Sequence, residues 1–144
     1  MEQIPILAPA AVLVVWSLII LLWVTLTRFP AFTKMGLKIG DAEPGARYVE
    51  VESLMPARVN WKSHNYTHLM EQPTLFYAAV AILALAGEGT GINVTFAWAY
   101  VLLRVMHSLW QCTINKIPVR ITLFTLSTLC LWVLAINAVR ATLF

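Results

Sequence analysis

The chain has 144 residues, of which 60% are hydrophobic and only 12% are charged. A soluble globular domain has about 45–50% apolar and about 25% charged residues, so this composition excludes an ordinary soluble domain. It favours a single membrane domain over residues 1–144. The net charge of +3 comes without a basic patch interleaved with aromatic residues, which argues against nucleic-acid binding.

The first apolar segment covers residues 4–27 and contains no charged side chain. About 20 apolar residues cross the hydrocarbon core of a bilayer, so this segment is predicted to be a transmembrane helix. Its acidic amino end, with no small-residue cleavage site after it, argues against a signal peptide. Residues 28–63 carry charges of both signs among several Gly and Pro residues. They predict a long polar connection that can hold a short surface helix.

Three more apolar segments follow, over residues 64–86, 92–113 and 119–139. A glycine-rich turn at 87–91 separates the first two of them, and a turn that ends at Pro118 separates the last two. The sequence therefore predicts an all-α membrane protein, a bundle of four transmembrane helices. Cys112 and Cys130 lie inside apolar runs, which favours buried thiols over a disulfide.

The distribution of basic residues predicts the orientation in the membrane. The long connection holds six Lys or Arg residues, and the last turn holds Lys116 with Arg120 directly after it. The glycine-rich turn holds none. By the positive-inside rule, the basic connections are cytoplasmic and both termini lie on the other side. The compact turns suit a bacterial inner membrane.

The second predicted span carries His64, His68 and Glu71, whose i, i+4, i+7 spacing places them on one helical face. A charge in mid-membrane costs about 2.5–3.5 kcal/mol, so such a group normally faces a bundle interior or a wet cavity. His64 can also be an ordinary interface residue. Glu71 lies deeper and requires a cation from another helix, or a proton.

The third predicted span carries a second polar stripe, at offsets 0, 3, 7 and 11: Arg104, His107, Gln111 and Asn115. Arg104 is the expected partner of Glu71, and such a pair can also serve only to fix helix packing. Arg120 opens the fourth span, where it can also be a snorkelling anchor. Together these groups predict a site for an anionic, amine-bearing small molecule beside an apolar membrane volume.

A metal site is an alternative use of His64, His68, Glu71 and His107. Two histidines at i, i+4 can share a metal, and a carboxylate completes a plausible ligand set. Arg104 nearby opposes a bound cation, so no metal is expected.

Three motifs resemble those of the MAPEG family, the membrane-associated proteins in eicosanoid and glutathione metabolism. The run from His64 to Pro73 is similar to the family's second-helix signature. Arg104-Val105-Met106-His107 resembles its Arg-x-x-His on the third helix, and Pro118-Val119-Arg120 resembles its Pro-x-Arg opening of the fourth. The motifs occur in the family's order, and the resemblance covers the whole chain.

The resemblance implies a homotrimer of four-helix protomers in the lipid bilayer, with glutathione as co-substrate between protomers near the cytoplasmic face. Glu71 matches the glutamate that holds the glutathione amine, and Arg104 and His107 match the pair on the third helix. Arg120 matches the arginine placed close to the thiol.

Four positions align less simply with the family. His64 stands where many members have an arginine, and His68 where they have an asparagine. Arg28 aligns, across a variable connection, with a further arginine at the end of the first helix. Gln111 occupies a position where eicosanoid-forming relatives tend to have tyrosine, which leaves the electrophile open.

The expected activity is that of a glutathione-dependent transferase or peroxidase acting on a lipophilic electrophile that enters from the bilayer. Arg120 is expected to stabilise the glutathione thiolate, while His64, His68, Glu71, Arg104, His107 and Arg28 are expected to bind glutathione. A non-catalytic protein that binds lipid and presents it to another enzyme is the alternative. A further alternative is that the polar clusters only assemble the trimer.

Overall fold

The computed structural model of the protein describes residues 3–37 and 39–144. Within these ranges the chain forms five α-helices: α1 (Leu7–Lys34), α2 (Tyr48–Glu52), α3 (Ala57–Leu85), α4 (Gly91–Thr113) and α5 (Ile117–Leu143). A single 3-10 turn, Ile39–Asp41, precedes the short helix α2.

Four of the five helices, α1, α3, α4 and α5, are long and apolar enough to cross a membrane. The shortest of them, α4, has 23 residues. At about 1.5 Å per residue it is about 35 Å long, which exceeds a hydrocarbon core of about 30 Å. Large apolar side chains such as Val15, Leu18 and Leu22 point outward from the bundle. The prediction of an all-α, four-helix membrane bundle is confirmed.

The helices extend beyond the predicted spans at one end of the bundle. The first helix continues past residue 27 and through Pro30 to Lys34, and α3 already begins at Ala57. The polar connection between them is therefore shorter than residues 28–63, and it holds the short helix that was expected. Charged residues mark where a helix leaves the hydrocarbon core, which need not be where its hydrogen bonding ends.

The two short connections end helices with residues in the left-handed conformation. Gly87, with a φ of 78°, follows α3, and the Glu88 N–H donates to the Leu83 carbonyl at 2.9 Å. Asn115, with a φ of 58°, follows α4, and its N–H donates to the Trp110 carbonyl at 2.8 Å. These caps satisfy backbone carbonyls that the helix ends would otherwise leave free. They also fix the α3–α4 and α4–α5 pairs as tight antiparallel neighbours.

The helices pack so that α1 and α5 each contact both α3 and α4. At the centre, the ring of Tyr100 from α4 stacks on the ring of Phe76 from α3, with centroids 4.3 Å apart and an interplanar angle of 17°. Both side chains are fully buried. Association of helices in lipid relies on close packing rather than on water exclusion, so this stacked pair is a main contact between α3 and α4.

Replacing the central ring tests this packing. Phe76→Ala is expected to destabilise the protein by about 3 kcal/mol, because it leaves a cavity between α3 and α4. The same replacement at the half-exposed Phe29 is expected to change stability by no more than about 0.5 kcal/mol. Thermal unfolding of both variants in detergent measures the difference. Equal losses would show that the stacked pair does not carry the packing of α3 on α4.

Candidate functional site

Most of the basic side chains lie at one end of the bundle, where α1 and α4 end and α3 and α5 begin. This is called the basic end below. Its described basic side chains on these four helices are Arg28, Lys34, Arg58, Lys62 and Arg120, and Lys116 directly precedes α5. The candidate site lies at this end, inside the bundle.

Arg104 is the most deeply buried charged residue of the site. Its side chain comes from α4, has no exposed surface, and donates from Nη2 to the backbone carbonyl of His68 at 2.8 Å. Its guanidinium carbon lies 5.7 Å from the centroid of the Phe124 ring. The Nε and Nη1 atoms have no hydrogen-bond partner among the described residues. A buried guanidinium with unused donors is costly, so this environment is suited to an anion.

His68 and His107 lie beside Arg104 and form an aromatic cluster with Phe124. The two imidazole centroids are 5.3 Å apart, and the His68 ring is 5.2 Å from that of Phe124. The rings meet edge to face. They line a cavity of about 260 Å³ whose wall consists of His68, His107, Ile117, Arg120, Ile121 and Phe124. The structure thus brings together residues of the second, third and fourth predicted spans.

Arg120 reaches this cavity from the first turn of α5. Its Nη1 donates to the side-chain oxygen of Asn115 at 2.8 Å, and its buried Nε has no partner among the described residues. Asn115 is placed for this contact by the left-handed turn that ends α4. Arg120 is therefore held in position at the cavity wall and still has a free N–H.

Glu71 does not pair with Arg104, so that expectation was wrong for the single chain. The Glu71 side chain is 63% exposed and points out of the bundle, and Arg104 instead meets the His68 carbonyl. Its nearest ionisable partner is His68, whose Nδ1 lies 3.8 Å from Glu71 Oε2, too far for a hydrogen bond. Residues three apart on a helix differ by about 60° in direction, so one broad face can hold an inward His68 and an outward Glu71.

His64 also lies on the outside of the bundle, and its imidazole already contacts a carboxylate of the same chain. Its Nε2 contacts Oε1 of Glu52 in α2. Two hydrogen bonds hold α2 against α3 at this point: Tyr48 donates to the Asn60 side chain at 2.6 Å, and Asn60 donates to the Glu52 carbonyl at 2.9 Å. A ligand carboxylate at His64 would have to displace Glu52.

Arg28 contacts the first residue of α2, whereas His64 contacts the last. It donates to the hydroxyl of Ser63, and its guanidinium carbon is 3.7 Å from the centroid of the Tyr48 ring. Burial raises the pKa of the Tyr48 phenol above its usual value of 10.0, although Arg28 acts in the opposite direction. The phenol therefore stays protonated and can donate to Asn60. Arg28 and His64 are not part of the wall of the His68–Arg120 cavity.

Asn65 is a structural residue that the sequence analysis did not single out. It is fully buried, donates to the Gln111 side chain at 2.9 Å, and accepts from the Ser108 hydroxyl at 2.7 Å. This network joins α3 to α4, so Gln111 serves helix packing instead of facing a ligand. The sequence feature that indicates this role is the helical spacing of Asn65 with Leu69 and Phe76, because it places Asn65 on the buried face of α3.

The histidines and carboxylates at the basic end do not gather into one cluster. Within residues 3–37 and 39–144, no group of three or more His, Cys, Asp or Glu side chains is arranged to hold a metal ion. His64 is engaged by Glu52, and His107 faces the interior beside Arg104.

The four membrane-crossing helices enclose a guanidinium, two imidazoles and a second arginine at one end. The protein is therefore a multi-pass membrane protein with a buried cationic cluster. The chain belongs to the MAPEG family, whose model matches residues 6–140. This match confirms the resemblance seen in the three motifs. No curated protein and no solved structure matches the chain.

Removing the Glu52 carboxylate tests the attachment of α2. Glu52→Gln is expected to speed amide hydrogen exchange in residues 48–53 about two- to fivefold, because a partly exposed charged contact contributes at most about 1 kcal/mol. Hydrogen-exchange mass spectrometry on the detergent-solubilised protein measures this rate.

Glu50→Gln removes a neighbouring exposed carboxylate and is the matched control. If Glu50→Gln accelerates exchange as much as Glu52→Gln does, the His64–Glu52 contact does not hold α2 in place.

Proposed function

We propose that the protein is a membrane-bound, glutathione-dependent transferase or peroxidase that acts on lipophilic electrophiles. The observation that carries this proposal is Arg104, fully buried in a membrane helix with two nitrogen atoms that have no hydrogen-bond partner in the described part of the chain. Family membership supports it, because the MAPEG family includes glutathione transferases and peroxidases as well as non-catalytic members.

Glutathione offers two carboxylates, one ammonium group and one thiol, and the site offers groups that complement each of them. Arg104, with His68 and His107 beside it, binds a carboxylate through the unused guanidinium donors. Glu71 accepts from the ammonium group, and Arg120 lies close to the sulfur. His64 and Arg28, at the edge near α2, bind the second carboxylate once Glu52 has moved away.

The chemistry begins at the thiolate. A free thiol has a pKa of about 8.5, and a guanidinium that remains protonated favours the ionised form at neutral pH. Arg120, which lines the cavity and whose Nε has no partner among the described residues, does this. In a transferase reaction the sulfur forms a bond to an electrophilic carbon, and the displaced electron pair leaves with the leaving group or is protonated.

In a peroxidase reaction the sulfur attacks one oxygen of a hydroperoxide and the O–O bond breaks. The departing alkoxide takes a proton to become an alcohol, and the sulfur becomes a sulfenic acid. A second glutathione thiol then gives the disulfide and water. Both reactions require the same thiolate and the same arginine.

The outward position of Glu71 supports a site shared between chains. A carboxylate that faces lipid costs several kcal/mol, so its exposed surface is expected to be covered by a second copy. A homotrimer, as the family resemblance implies, places Glu71 of one protomer against the cationic cluster of its neighbour. Glutathione would then bind between the two.

The lipophilic substrate has a suitable place in a groove between α3 and α5. This groove has a volume of about 430 Å³ and a largely apolar wall that includes Leu75, Ala78, Leu131, Trp132 and Ala135. Its polar end holds Gln72, which donates to the Thr128 hydroxyl at 2.9 Å. Gln72 follows Glu71 in the chain, and Thr128 lies about one turn beyond Phe124, so the groove leads from the bilayer toward the cationic cluster.

The same groove favours a second candidate function, that of a non-catalytic lipid-binding protein. Its apolar wall and its position on the membrane surface of the bundle suit an acyl chain as well as an electrophile. The two functions differ in turnover. Saturable lipid binding without any glutathione-dependent conversion of a chromogenic electrophile or a lipid hydroperoxide would favour the lipid-binding function.

Replacing Arg120 tests the catalytic part of the proposal. Arg120→Ala is expected to lower kcat/KM with a chromogenic electrophile about 10²- to 10³-fold, because the thiolate loses its main electrostatic stabilisation. The pKa of enzyme-bound glutathione, followed by the ultraviolet absorbance of the thiolate, is expected to rise toward about 8.5. The pH at which activity is half-maximal rises with it.

Arg120→Lys keeps the charge without the planar donors and is expected to give an intermediate rate. Arg58→Ala removes an exposed arginine from the same end of the bundle and is expected to leave the rate unchanged. An Arg120→Ala enzyme with full activity and an unchanged thiol pKa would contradict the role given to Arg120.

A further inference from the structure

A second polar cavity lies at the opposite end of the bundle, where α4 begins and α5 ends. Its volume is about 550 Å³, and its wall includes Glu88, Ile92, Asn93, Asn137 and Arg140. None of these residues belongs to the glutathione site proposed above.

A chain of side-chain amides fixes the shape of this cavity. Asn93 is 4% exposed and donates to the backbone carbonyl of Glu88 at 2.9 Å. Asn137 in turn donates to the Asn93 side-chain oxygen at 2.7 Å. These two bonds tie the α3–α4 turn to α4 and α4 to α5, so the residues that line the cavity come from three joined segments. A wall built in this way keeps its shape before a ligand arrives.

The cavity presents opposite charges that do not neutralise each other. Glu88 and Arg140 both line it, yet no ion pair within 4.0 Å joins them in the described parts of the chain. An acid on one side and a guanidinium on the other complement a ligand that carries an ammonium and an anionic group. Asn137 adds a side-chain amide to the same wall.

The position of the cavity along the helices indicates the source of such a ligand. α4 and α5 have 23 and 27 residues, so at about 1.5 Å per residue they are longer than a hydrocarbon core of about 30 Å. Their ends therefore lie at the level of the lipid headgroups. Ile92 adds an apolar surface beside the polar wall, which suits the start of an acyl region.

We propose that this cavity binds the headgroup of an aminophospholipid such as phosphatidylethanolamine. The Glu88 carboxylate accepts hydrogen bonds from the ammonium group, and the Arg140 guanidinium donates to the phosphate. A choline headgroup has no N–H to offer Glu88, and a glycerol headgroup has no cation. The site therefore discriminates among lipids of similar size and chain length.

The test is native mass spectrometry of the full chain in detergent, titrated with phosphatidylethanolamine, phosphatidylcholine and phosphatidylglycerol that have identical acyl chains. The wild-type protein is expected to bind phosphatidylethanolamine about tenfold more tightly than either of the others, which corresponds to about 1.4 kcal/mol. Glu88→Gln is expected to reduce this preference to about twofold or less, because it removes the acceptor of the ammonium group. Arg140→Gln removes the donor to the phosphate that all three lipids share, so it is expected to weaken the binding of all three about tenfold.

Glu50→Gln and Arg58→Gln remove the same charges from the basic end and are expected to leave the preference intact. Equal binding of the three lipids by the wild-type protein would overturn the proposal, as would an unchanged preference in Glu88→Gln or unchanged lipid binding in Arg140→Gln. Thermal unfolding of each variant identifies one that has failed to fold, and for that position Glu88→Ala or Arg140→Ala, each of which also removes the charge, replaces it under the same criterion.

Free phosphoethanolamine separates the lipid from a soluble zwitterion with the same charged groups. It is expected to compete with the lipid only at concentrations more than about tenfold above those of phosphatidylethanolamine, since it lacks the acyl chains. Equal affinity for the two would overturn the assignment to a lipid and make the ligand a water-soluble molecule.

Discussion

The burial of Arg104 is the constraint on which the rest of the basic end depends. A guanidinium cannot lose its charge inside the membrane, so the bundle must supply acceptors or admit an anion. The chain supplies one acceptor, the carbonyl of His68, and places the Phe124 ring at 5.7 Å. Its Nε and Nη1 have no partner within residues 3–37 and 39–144, and His68, whose carbonyl accepts from Arg104, lines a cavity together with His107 and Arg120. The packing of α3 on α4 and the proposed binding site therefore depend on the same residue.

The candidate residues divide between the surface and the interior of the bundle. Glu71 and His64 lie on the surface of the single bundle, whereas Arg104 and His107 lie inside it. A site that uses both the outward and the buried residues requires the outer surface of one chain to contact the cavity of another chain. The Glu52 carboxylate meanwhile contacts the His64 imidazole and holds α2 against the start of α3. The binding proposed at this edge therefore requires the polar connection to move.

Much of this arrangement was predictable from the sequence, because hydropathy and helical spacing are local properties. The four spans followed from apolar length, and the three motifs located Arg104, His107 and Arg120 at one end. The pairing of Glu71 with Arg104 was not predictable, since periodicity gives a face of a helix but not the direction of each residue within that face. The His64–Glu52 contact depends on how residues 35–56 fold, and charge and glycine content do not determine that.

The most direct test of the central claim is calorimetric titration of the detergent-solubilised wild-type protein with glutathione, beside Arg104→Gln. If the unused donors of Arg104 form an anion site, the wild-type protein binds glutathione with a Kd of about 1 mM or tighter. Arg104→Gln then loses that binding while its helical content and unfolding temperature are retained. Absence of wild-type binding at millimolar glutathione, or equal binding by a folded Arg104→Gln variant, would contradict the account.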